Sequence, residues 1–197
     1  NDDATSQGGG ALPSAESIKN LVDQAERMGT QVLADGNFNQ AETVFKELLS
    51  VDSTNAIALN GFGLIAIARD EVPSAELFFR DAVRSAPDWA EPHRHLGAIY
   101  IKQGRHRRAI RELNKALANA PDDIDVHYLL ASAYQQTNML PAQEKHLREI
   151  LLREPTHGSA NNDLGCIEIL RGNAGEAEKL LRVAVKSKAP KSSASKN

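Results

Sequence analysis

A single cysteine, a single tryptophan, few aromatics and no long apolar run set the first limits on this chain. Cys166 has no second thiol to pair with, so no intramolecular disulfide can form and cysteine usage does not report the redox compartment. A lone thiol set among apolar neighbours reads as a packing residue. No uninterrupted apolar stretch approaches the roughly 18–20 residues that a helical membrane span needs. Aromatic residues make up 5% of the 197 positions and the formal net charge is −3. That balance supplies neither the basic field nor the interleaved stacking platforms by which nucleic acid is held. Trp89, the sole tryptophan, lies beside Pro87 and Asp88 and reads as packing in a turn.

What the chain does have is a period. Gly29, Gly63, Gly97, Ala131 and Gly165 recur every 34 residues, and so do Met28, Phe62, Leu96, Leu130 and Leu164. Phe45, Phe79, Leu113, Leu147 and Leu181 hold a third register; Ala41, Ala75, Ala109 and Ala177 hold a fourth, broken by Gln143. Repetition at this length predicts stacked supersecondary units that bury a ribbon of core and present a binding surface. Five blocks follow without insertion, starting at residues 22, 56, 90, 124 and 158. Within each, apolar residues keep helical spacing and are interrupted once, at Asp35-Gly36-Asn37, Arg69-Asp70, Gln103-Gly104, Thr137-Asn138 and Arg171-Gly172. Pro73 and Pro141 open second helices, whereas Pro87, Pro121 and Pro155 fall where second helices must stop. Ten helices are predicted. The small eighth and twentieth places are expected to face each other where the two helices of a block cross, with Ala131 and Gln143 making block four the loosest crossing.

The register of large apolar, Gly, aromatic, Ala, aromatic, Ala and Pro resembles the tetratricopeptide repeat, best in block three through Leu96, Gly97, Tyr100, Ala109, Leu113, Ala116 and Pro121. The resemblance covers residues 22–191 and implies an all-α fold, a right-handed α-solenoid of five helix-turn-helix repeats occupying residues 16–187 as one domain. Residues 1–15 are expected to form a flexible leader left by processing or truncation, and residues 188–197, rich in Lys, Ser and Ala, a disordered tail. In this family the first helix of each block lines a groove. Carried over, the groove residues are Asn60, Leu64, Arg94, His95, Tyr128, Gln135, Asn162 and Asp163, and the implied partner is a peptide or helix segment of another protein. The family's carboxylate clamp for chaperone tails is not expected, because its places hold Glu26, Thr30, Gly61, Glu91 and His95. The Asn161-Asn162-Asp163-Leu164-Gly165-Cys166 phrase and the leader are similar to bacterial pilus-assembly lipoproteins of the secretin-pilotin kind. That likeness implies a periplasmic or outer-membrane setting, with the cytoplasm as the alternative, and a lipid anchor upstream of Asn1.

No catalytic set, cofactor site or metal site is expected. His93 and His95 are two apart on a helix and diverge, His93 and His127 share a packing phase, and Cys166 has no histidine at a neighbouring groove place. The basic set Lys102, Arg105, Arg107, Arg108, Arg111 and Lys115 falls mostly on the outer face and reads as a solvated surface. Glu168 sits where the other blocks carry Val32, Ala66, Tyr100 and Tyr134, which reads as a carboxylate meeting a partner or solvent. At the end, Leu180 and Val183, backed by Leu181 and Val185, are expected to form an uncovered apolar strip for a partner segment or a second copy of the chain. The alternatives to a groove-binding adaptor are thus self-association through that strip, or a regulatory fragment of a larger enzyme.

Overall fold

The computed structural model describes residues 14–188, and among them every regular element is an α-helix. In chain order these are α1 (Ala15–Ala34), α2 (Phe38–Val51), α3 (Ala56–Ala68), α4 (Val72–Ser85), α5 (Ala90–Lys102), α6 (His106–Asn119), α7 (Ile124–Gln136), α8 (Leu140–Arg153), α9 (Gly158–Leu170) and α10 (Ala174–Lys188). The leader through residue 13 and the tail from residue 189 lie outside the described residues. The helices group into two compact units, one up to Ser85 holding α1–α4 and one from Ala86 holding α5–α10.

Each helical pair closes on the same device. Gly36, Asp70, Gly104, Asn138 and Gly172 follow the first helices at one phase, and all have positive φ, 78°, 60°, 70°, 55° and 80°. This left-handed residue turns the chain back while the amide after it satisfies a helix carbonyl, as in Asn37 N–H to Val32 O at 3.0 Å and Arg105 N–H to Tyr100 O at 2.8 Å. First helices start on side-chain caps where the sequence offers them: Asn55 accepts from the Ala58 amide, Asp123 from Val126, and His157 Nδ1 from Ala160.

Packing explains the small residues, with one correction. A Cβ on Gly29 would stand 2.6 Å from the Phe45 ring, one on Gly63 2.4 Å from Phe79, and one on Gly97 2.4 Å from Leu113. The eighth-place glycine therefore faces the large residue at place 24, not the alanine at place 20. Gly61 does the same service from the neighbouring block, since a Cβ there would lie 2.2 Å from Phe45. In the first unit Ala41, Val44, Phe45 and Leu48 of α2 pack with Ala58 and Ile65 of α3. In the second, Leu147 and Ile150 of α8 pack with Ala160, Leu164 and Ile167 of α9. Burying a side chain such as Phe45 or Leu147 contributes about 1.5–3 kcal/mol.

Candidate functional site

The first helices carry the predicted groove residues, and the two units differ in what they offer. In the first unit Glu26, Arg27, Thr30 and Ile57, all at inward places, line a cleft of about 460 Å³. Asn60 does not join them. It is 4% exposed, and its Oδ1 is buried with no hydrogen-bond partner among the described residues. Leu64 is half-buried. Beside the cleft, Asn55 Nδ2 donates to Glu26 Oε1 at 2.7 Å, tying α1 to the start of α3.

In the second unit the place-5 side chains of α5, α7 and α9, Arg94, Tyr128 and Asn162, form a polar row with His95 and Asp163 at place 6, which Leu129 interrupts at place 6 of α7. Arg94 lies 3.8 Å from Asp123 and 3.9 Å from Asp125; His95 Nε2 is 3.4 Å from Glu91 of its own helix. The Tyr128 hydroxyl donates to Asp163 Oδ2 at 3.4 Å, and Asn162 Nδ2 to Asp163 Oδ1 at 3.1 Å. Partial burial, together with the Asp163 carboxylate, pushes the Tyr128 phenol above its ordinary pKa, so it stays a neutral donor. Its ring rests tilted against His157, centroids 5.8 Å apart. Gln135 is exposed two turns further along α7 and is not part of this row. Asp123 and His157, each the last residue of its block, were missed by the inward-place rule, because they reach the row from the caps of the next helices.

These contacts are long compared with the ion pairs that tie helices together elsewhere. Arg69 meets Glu42 at 2.7 Å, and Arg153 meets Asp122 at 2.5 Å. Glu144 is clasped by Arg171 and Arg148, which hold its carboxyl at a pKa of about 2. The row is polar and half-buried.

The histidines have structural work. His93 Nε2 donates to Pro87 O at 2.9 Å, His127 Nε2 to Pro121 O at 3.1 Å, and Asn161 Nδ2 to Pro155 O at 2.9 Å. One place in three successive blocks thus pins the turn that precedes its helix. The other nitrogen of each histidine meets the second helix of its block: His93 Nδ1 reaches Glu112 at 2.7 Å and His127 Nδ1 reaches His146 Nδ1 at 3.0 Å. That bond from His93 holds the Glu112 carboxyl below its ordinary pKa.

Two sequence readings are corrected here. Glu168 is 3% exposed and meets neither a partner protein nor solvent; it accepts from Asn173 at 2.7 Å and from Arg148 and Arg171 at 3.3 Å. Cys166 is exposed instead of packed. At the C-terminal end Leu180 leans on the second unit's core cluster and Val183 is half-buried. The open apolar surface lies round the helix from them, at Leu181, Val185 and Ile169. Among the described residues no His, Cys, Asp and Glu set could hold a metal ion, and no helix is long and apolar enough to cross a membrane.

Comparison with known proteins agrees with the periodicity. The "Tetratricopeptide repeat" model matches residues 27–88 and the "TPR repeat" model residues 97–138. Cellulose synthase 1 operon protein C of Komagataeibacter xylinus is 28% identical over 170 residues, covering 80% of this chain and 13% of that protein. The chain thus spans a small part of that relative's length. Among solved structures, YrrB, described as a TPR protein with an unusual peptide-binding site, matches with a TM-score of 0.71 at 17% identity over 89% of this chain and 94% of its own. PilW, a type IV pilus biogenesis factor, matches with a TM-score of 0.71 at 19% identity over 85% of this chain and 77% of its own. With five α-hairpins at a 34-residue period and family matches in both compact units, the chain belongs to the tetratricopeptide-repeat family of α-solenoid proteins.

Proposed function

We propose that the chain is a non-enzymatic adaptor and that α5, α7 and α9 of its second unit bind a peptide segment of a partner protein. The observation that carries this is the polar row itself. Arg94, Tyr128 and Asn162 recur at one place in three successive first helices, each beside a carboxylate of Asp123, Asp125 or Asp163 at 3.1 to 3.9 Å, contacts that an incoming backbone can replace. Asn162 offers an amide that can both donate and accept, and Tyr128 offers area with a polar tip. Glu91, Asp123, Asp125 and Asp163 outnumber Arg94 around the row, so the electrostatics favour a segment carrying Lys or Arg.

The biological setting is drawn from relatives. Likeness to PilW supports a role in pilus assembly, as the leader and the Asn161–Cys166 phrase suggested. The match of higher identity, to the cellulose synthase operon protein, supports a second setting, a repeat module of a bacterial cellulose-producing system.

Fluorescence anisotropy with labelled peptide pools of equal length, one Lys/Arg-rich and one Asp/Glu-rich, tests the site. The basic pool should bind, and Asp125→Asn with Asp163→Asn should weaken it at least tenfold while steepening nothing in the thermal melt. Tyr128→Ala should weaken it at any salt concentration. Equal binding of both pools, or wild-type affinity in a folded Tyr128→Ala protein, would remove the row from the account.

A further inference from the structure

Two places in the chain show how one block receives the next. On α2, Glu42 pairs with Lys46 one turn later at 2.6 Å and receives Arg69 of the following block at 2.7 Å. On α8, Glu144 pairs with Arg148 one turn later at 2.8 Å and receives Arg171 of the following block. The arriving arginine stands 27 residues beyond the acid in both cases. Where that acid place holds Ile110, the residue 27 further on is Thr137; Glu76 also holds the acid place, and the residue 27 beyond it is Gln103, so the arginine follows two of the three acids that have a next block. Ahead of each arginine runs the same apolar ladder: Ala58, Phe62 and Ile65 before Arg69, and Ala160, Leu164 and Ile167 before Arg171. These ladders are what fill the faces of α2 and α8 in the two core clusters.

The α9–α10 pair repeats the receiving half with nothing in it. Glu178 pairs with Arg182 one turn later at 2.6 Å, as Glu42 does with Lys46 and Glu144 with Arg148. Beside that pair lies a cleft of about 670 Å³ floored by Ala177 and Leu181 and walled by Ile169 and Val185. Leu181 is only half-buried, whereas its counterparts Phe45 and Leu147 are 1% and 0% exposed. Val185 is 70% exposed, whereas Leu49 and Leu151 at its place are half-buried against neighbouring helices.

We infer that this cleft docks an amphipathic helix from a partner protein, with a small residue at n, a large apolar residue at n+4, a branched aliphatic at n+7 and an arginine at n+11. The ladder covers Leu181 and Val185, and the arginine completes the Glu178–Arg182 pair. A second copy of this chain does not meet the specification. The corresponding places of α1 are Gln24, Met28 and Gln31, followed by Asp35, which sets a carboxylate against Glu178. Neither stretch outside the described residues meets the specification: 189–197 hold no large apolar residue and 1–13 only Leu12.

The probe is a synthetic helix carrying Ala, Leu, Ile and Arg at n, n+4, n+7 and n+11 on an otherwise Glu/Lys/Gln surface, titrated by calorimetry into the 197-residue chain. Binding should weaken at least tenfold with Val185→Glu or Glu178→Gln, with far-UV circular dichroism unchanged. Replacing the peptide's arginine by glutamate should abolish binding, and Glu178→Arg in the protein should restore it to that peptide. No binding by the probe, or binding indifferent to Val185 and Glu178, overturns the proposal. It fails equally if light scattering shows the chain pairing with itself in a way that Val185→Glu abolishes, for the occupant would then be a second copy.

Discussion

Gly104 holds φ at +70° with nothing within 4 Å of where its Cβ would be, so any cost of adding that atom comes from the backbone alone. Gly104→Ala should destabilise by about 1 kcal/mol, and the reverse change, Asp70→Gly, should stabilise by up to about 1 kcal/mol, since Asp70 pays for the same left-handed turn at φ 60°. Thermal midpoints of the two variants check both signs. Gly97 is conformationally ordinary and sterically constrained. A side chain there enters Leu113, so Gly97→Leu should cost on the order of 1–3 kcal/mol or more, and Leu113→Ala in the same chain should recover part of it. Additive losses in that double variant would show that the two residues do not meet. The turn glycines and helix-crossing glycines were both legible as periodic. Which large residue each crossing glycine accommodates was not, because place 20 and place 24 are one helical turn apart and spacing alone does not choose between them.

Pairs of helices are joined by polar contacts that no single-helix pattern reveals. His127 and His146 are nineteen residues apart and both buried, 4% and 6% exposed, with Tyr134 stacked on His146 at 5.6 Å. The Pro121 carbonyl only accepts, so in the neutral pair His127 Nε2 carries a proton, its Nδ1 accepts, and His146 Nδ1 donates. Burial, reinforced by His127 and Lys145 and opposed by Glu149, pushes His146 down to about 4. The consequence for stability has a definite window. Above an unfolded value of about 6.5 neither state binds the proton; as pH falls toward 4 the unfolded chain binds it and the folded chain does not, so stability drops by roughly 2–3 kcal/mol and then levels. His146→Leu should flatten the chemical-denaturation midpoint across that window. A variant that keeps the wild-type slope would assign the loss to other groups. Block three solves the same contact with His93 and Glu112. The sequence marked His93 and His127 as packing residues, and they are; their partners stayed hidden because only the fold brings place 23 beside place 4. Glu168 was misread for a related reason. Its neutralising partners, Arg148, Arg171 and Asn173, come from α8 and from the turn after α9, and each looks like surface charge or loop when read alone.

Each compact unit has a core cluster of its own, so the whole chain should separate into parts that fold. Residues 86–188, made alone, should give a helical spectrum and a cooperative melt, and should bind basic peptides with the affinity found for the full chain if the proposed row is the site. A fragment without a cooperative transition would mean that this unit depends on the first. Fold class and repeat boundaries were readable because close packing imposes the same residue sizes every 34 positions. The candidate site was readable only in part. Its places follow from the register, but Asn60 is buried at such a place while Asp123 and His157 arrive from outside the inward set. The proline carbonyls held by His93, His127 and Asn161 have a further consequence, for where this chain can grow. Each of those bonds spans six residues and works as a ruler between blocks. One extra residue inside it displaces donor from acceptor by up to about 3.8 Å, well beyond hydrogen-bond reach. The turns inside the blocks carry a measure of their own, since the amides of Asn37, Arg105 and Asn173 each reach a carbonyl five residues back. Insertions that host new recognition sequences therefore belong neither at the joints between blocks nor inside these five-residue closures, which together hold the 34-residue period.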